Sequence, residues 1–151
     1  MSNSPKTLGV IAALMLLAGF ATSQLLVGSG YPFPASPWTL LVSIPVIGLA
    51  VLIFSLPIRR YTRSLAKSER AKRPSNHYSY RVLLLARAGQ LTAAGFLGWH
   101  LGALIWAGMF APIAELQASG WLGTAGSTLM LLSCYLAEWN CRAPKDSGDR
   151  G

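Results

Sequence analysis

Acidic side chains are scarce in this chain: five Asp and Glu stand against 13 Lys and Arg in 151 residues, and charged residues make up only 12%. An ordinary soluble domain carries roughly a quarter, so there is too little charge here to cover a water-exposed surface. Cysteine is nearly absent as well. Cys134 and Cys141 fall late, within an apolar segment and at its end, which excludes the framework of a secreted disulfide fold. On a helix they would lie about 10.5 Å apart along the axis, beyond the reach of an unstrained disulfide. The two histidines are His77, in a basic stretch, and His100, in an apolar one. They cannot face each other inside a bundle, which excludes bis-histidine haem ligation. No HExxH, GxSxG, P-loop or CxxC pattern occurs, so no enzyme activity, cofactor or metal is expected.

What the chain does have is apolar length: 52% of its residues are apolar and the mean hydropathy is +0.43. Residues 7–28 carry no charge and reach about 33 Å at helical rise, enough for a hydrocarbon core of about 30 Å. Lys6 and the small residues Gly19 and Ala21 also fit a signal peptide. The apolar run continues through Leu25, Leu26 and Val27, however, longer than an h-region of about 7 to 15 residues. An uncleaved first span is therefore expected. Further spans are expected at 38–57, 84–109 and 121–140. Pro45 interrupts the second and predicts a kink, with Ser43 on hand to compensate for the lost backbone hydrogen bond. Between the first two, Pro32, Pro34 and Pro37 alternate with Tyr31 and Phe33 in a stiff interfacial turn.

Basic residues are segregated from these runs. Residues 58–81 hold Arg59, Arg60, Arg63, Lys67, Arg70, Lys72, Arg73 and Arg81 against the single acid Glu69. Lys6, Arg87 and the tail 142–151 hold the remaining Lys and Arg, and the other two connections hold none. Since membrane proteins keep such residues on the cytoplasmic side, the pattern predicts an all-α, four-helix integral membrane bundle with both termini inside. Its site would be the cytoplasmic membrane, and the tail a flexible cytoplasmic one. Arg59, Arg63, Lys67 and Arg70 recur at three- and four-residue steps and would line one helix face, meeting anionic lipid headgroups. A pI near 10.1 also suits nucleic acid, but no aromatic stacking platform accompanies the charges, so no nucleic-acid partner is expected.

Four residues stand out. Arg87 enters the third span and Glu138 leaves the fourth at the same end, so antiparallel neighbours bring them to similar depth as an ion pair. Such a pair is either a structural clamp or a cytoplasm-facing polar site for an anion or proton. Gly98 and Gly102 share a stripe with Gln90 and Ala94, a spacing that lets another helix approach closely. His100 lies outside these patterns and is expected to satisfy a hydrogen bond or face the outer interface.

Several stretches together resemble an uncharacterised family of small actinobacterial four-helix membrane proteins, a domain of unknown function. They are Trp38-Thr39, Leu85-Ala86-Arg87-Ala88, Leu97-Gly98-Trp99 with Gly102, and Glu138 through Cys141-Arg142-x-Pro144. The resemblance implies four spans, a basic residue at Arg87, and genes that often neighbour folate-biosynthesis genes.

The function expected is that of a non-catalytic accessory or scaffold protein packing through the Gly98 and Gly102 face against a membrane-protein partner or a second copy. The alternative is a small-solute transporter, or a subunit of one, using the polar residues around Arg87, Gln90 and Glu138.

Overall fold

The computed structural model describes residues 4–66, 76–111 and 114–141. They form four helices, α1 (Pro5–Gly28), α2 (Trp38–Ala66), α3 (Asn76–Phe110) and α4 (Ala114–Cys141), with no strand among the described residues. Local signals set several ends. Ser4 caps α1 by accepting from the Lys6 amide at 3.3 Å, with Pro5 opening the helix. Gly30 closes it at φ 82°, a conformation open to a residue without Cβ, while the Tyr31 amide donates to the Leu26 carbonyl at 2.9 Å.

Three helices, α1, α2 over Trp38–Tyr61 and α3 over His77–Phe110, are long and apolar enough to cross a membrane. The fourth expected span differs. α4 has the length, 28 residues, but Gly120, Gly123, Thr124, Gly126, Ser127 and Thr128 dilute its hydropathy. Those small residues let it lie close to its neighbours. Gly123 sits against the His100 ring and Gly126 against Pro45 and the Leu41 carbonyl. Pro45 and Pro57 both lie inside a continuous α2, and the Ser43 hydroxyl bonds the Leu40 carbonyl at 3.1 Å.

The connection expected at 58–81 is largely helical, because α2 runs on to Ala66 and α3 begins at Asn76. Lys67, Arg70, Lys72, Arg73 and the tail 142–151 lie outside the described residues, as does the Arg63 side chain.

α3 is the hub: α1, α2 and α4 all pack on it, and α2 also packs on α4. The core lies between α2, α3 and α4, where Ile44, Val51, Ala86, Ala93, Met130, Cys134 and Ala137 form one buried cluster. Its small members keep the helices close. α1 stands outside this core, burying only Gly19 and Ser23, and its contacts run to α3 alone. Because Gly98 meets Ala12 and Gly102 meets Leu16 and Phe20, α1 and α3 run in the same direction. α4 runs against α3, since Gly89 meets Cys134 and Gly120 meets Leu104.

Candidate functional site

At the basic end of the bundle, α3 and α4 bring three polar side chains together. The Gln90 amide nitrogen donates to Glu138 Oε2 at 2.7 Å, and Arg87 Nε lies 3.6 Å from Glu138 Oε1. Three residues on α3 is close to one turn, so Arg87 and Gln90 approach the same carboxylate from adjacent turns. Gln90 and Glu138 are 1% and 2% exposed, whereas the Arg87 side chain keeps 30% of its surface accessible. A carboxylate buried to that degree needs both a charge partner and hydrogen-bond donors, and α3 supplies both.

Two residues further along α4 the same end is tied again. The Asn140 amide donates to Ser55 Oγ at 2.9 Å, and the Ser55 hydroxyl donates to the Leu52 carbonyl at 2.7 Å. Ser55 is fully buried, so α2 joins α4 beside the carboxylate. Sequence patterns missed this tie, because neither Ser55 nor Asn140 stands at a spacing that singles it out. Cys141 is half-buried in the next position. Burial pushes its thiol pKa up, and the Glu138 carboxylate adds to the rise.

Gly98 and Gly102 are filled by the chain itself. A Cβ on Gly98 would meet the Ala12 carbonyl, and one on Gly102 the Leu16 carbonyl and Phe20 amide. The face expected to receive a partner is thus the seat of α1, a correction that follows from α1 having no other neighbour. Close packing of this kind replaces contacts that lipid chains would otherwise make.

His100 is 2% exposed. Its Nδ1 donates to the Phe96 carbonyl at 2.7 Å, which leaves Nε2 to accept from the Ser36 hydroxyl at 3.1 Å. The ring fills the hollow left by Gly123. Phe33 stacks on Trp106 at 5.5 Å, and the Trp106 indole donates to Gln24 Oε1 at 2.6 Å. Through Phe33 and Ser36 the proline-rich connection packs onto α3, while Tyr31, Pro32, Ala35 and Pro37 stay exposed. His77 stands exposed in the first turn of α3. Arg59, Arg60 and Arg81 are exposed at the basic end, and no cluster of three metal-ligating side chains occurs among the described residues.

The family described as a protein of unknown function (DUF3180) matches residues 8–145. No curated protein and no solved structure matches the chain.

Proposed function

From the premise that the chain belongs to this family of unknown function, we propose that it is a non-catalytic accessory protein of the cytoplasmic membrane. On this reading four helices cross the bilayer, both termini and the basic end lie inside, and the protein serves as a scaffold for a membrane partner. One observation carries the reading: polar side chains pair from helix to helix at three places. Gln90 and Glu138 tie α3 to α4, Asn140 and Ser55 tie α4 to α2, and Trp106 and Gln24 tie α3 to α1. That is the chemistry of a rigid frame.

With the Gly98 and Gly102 face taken by α1, the partner meets the outer wall of α2 and α4. There the exposed Ala125 lies in a shallow groove of about 270 Å³ beside Trp38, Val42, Pro45 and Leu129, and a small residue at a helix surface admits a close neighbour. The actinobacterial origin and folate-gene neighbourhood carried by the resemblance indicate where that partner is first sought. A photo-cross-linking side chain at Ala125 or Val42, exposed in native membranes, should give one discrete protein adduct, while the same group at Leu14 on α1 gives none. Absence of a protein adduct at both Ala125 and Val42 ends the scaffold reading.

A second reading, a small-solute transporter or a subunit of one, draws on the partly exposed Arg87 side chain beside the Glu138 carboxylate. It requires Arg87→Ala to abolish uptake of a solute while the protein still inserts, and unchanged uptake across a metabolite panel removes it.

A further inference from the structure

At the basic end α2 and α3 both run on past Cys141, the last residue of α4, and three exposed arginines, Arg59, Arg60 and Arg81, stand on the projecting part. Their depth follows from the contacts. Gly89 meets Cys134 and α4 runs against α3, so Asn140, six residues past Cys134, shares its depth with Leu83, six before Gly89. The hydrogen bond from Asn140 places Ser55 at that depth too. Arg81 then lies about 3 Å beyond it, and Arg59 and Arg60 lie about 6 and 7.5 Å beyond it. Cα–Cβ bonds lean toward the start of a helix, which carries the Arg81 side chain away from the bundle and draws those of Arg59 and Arg60 back, so the three charges gather in one layer. We infer that this layer holds anionic phospholipid headgroups of the cytoplasmic leaflet.

Three observations select that occupant. The first is depth. Trp139 adjoins Asn140 and is 65% exposed, the setting of an interfacial ring, and the headgroup region beyond such a ring is about 5 to 8 Å thick. The arginines fall within that thickness. The second is charge. Among the described residues Glu138 is the one acid at this end, and it is buried and held by Gln90 and Arg87. The layer is therefore net positive and suits a phosphodiester. The third is what lies beside the charge. Ile53 and Phe54 on α2 and Leu84 and Leu85 on α3, one to two turns from the arginines toward the bundle, are exposed and apolar. A lipid meets both surfaces at once, its phosphate against the arginines and its tails against these side chains, whereas a soluble anion or a nucleic acid meets only the first.

The inference rests on the membrane placement proposed above and not on the scaffold role. Electron paramagnetic resonance of the full chain in phosphatidylcholine vesicles, with spin-labelled phosphatidylglycerol or phosphatidylcholine as the probe, tests it. Phosphatidylglycerol should associate about fivefold more strongly, the factor that one basic residue near the surface contributes. Screening in about 1 M NaCl should bring the two lipids to parity. Arg59→Gln, Arg60→Gln and Arg81→Gln together should remove about half of the preference or more, while the corresponding triple change to lysine, which keeps the charge, should retain it. Equal association of the two lipids with wild type at low salt overturns the proposal. So does a glutamine variant with the full preference, or a lysine variant that loses as much as the glutamine one. A preference abolished by inorganic phosphate, but not by chloride at the same ionic strength, assigns the layer to a soluble anion and overturns it as well. Failure of the chain to insert into vesicles would end the membrane placement together with this inference, whereas failed cross-linking at Ala125 and Val42 would end the scaffold role alone.

Discussion

Gln90 and Glu138 hold each other across α3 and α4 through one buried hydrogen bond of 2.7 Å, and the same carboxylate has Arg87 within 3.6 Å on its other oxygen. An interhelical hydrogen bond inside a membrane contributes about 0.6 to 2 kcal/mol. Losing one partner of a buried ion pair costs more, about 3 to 5 kcal/mol, because the remaining charge keeps its desolvation penalty.

Glu138→Ala should therefore destabilise the bundle by about 3 kcal/mol or more, and Gln90→Leu by about 1 kcal/mol. Arg87→Ala combined with Glu138→Ala should cost less than the sum of the two single changes, since the double variant leaves no unpaired charge. Reversible unfolding in mixed micelles measures each corner of the cycle. Strict additivity would remove the clamp.

The proximity of Arg87 and Glu138 was legible in the sequence because charge is so rare there that both were conspicuous, and antiparallel neighbours bring them to one depth. Three helices were equally legible, being long and nearly uncharged. The fourth was legible as a helix but not as an equally apolar one, since its glycines and hydroxyls serve packing against α2 and α3. The destination of the Gly98 and Gly102 stripe was hidden. Spacing tells that a backbone can come close, and only the fold tells whose backbone it is. His100 was hidden for a related reason: its partner Ser36 lies in a proline-rich connection that gives no sign of folding inward.

Gly102→Leu should detach α1 from α3, because the new side chain meets the Leu16 carbonyl and Phe20 amide of the backbone. Overpacking of this kind costs about 1 to 3 kcal/mol. Protease cleavage between α1 and α2, near Tyr31, should accelerate in Gly102→Leu and stay at the wild-type rate in Gly95→Leu. Equal cleavage in both would contradict the seat assigned to α1.

Gly123 and His100 should show compensation. Gly123→Ala alone drives a methyl into the imidazole and should lower stability by about 1 to 3 kcal/mol. His100→Ala made alongside it vacates that space, so the double variant should recover part of the loss, with a coupling of about 0.5 to 3 kcal/mol. Thermal unfolding of the four proteins in one detergent checks this, and an uncoupled pair would place the ring elsewhere.

Cys141 should react slowly with maleimides at neutral pH. Its thiol pKa is raised by burial and by Glu138, so the thiolate fraction is small there and the rate should still climb above pH about 8.5, the ordinary thiol value. Glu138→Gln removes the carboxylate's share and should shift the rate profile to lower pH. A profile identical to that of a free thiol would contradict this environment.

The proposed orientation, with the basic end of a membrane-spanning bundle facing the cytoplasm, is read out by labelling one added cysteine at each end in a Cys141→Ser background, where the remaining Cys134 is buried. Tyr31 and Tyr80 are 64% and 66% exposed, and both substitutions leave the charge pattern intact. A membrane-impermeant maleimide should modify Tyr31→Cys in intact cells and reach Tyr80→Cys only after permeabilisation. Modification of Tyr80→Cys in intact cells, with Tyr31→Cys protected, would contradict it.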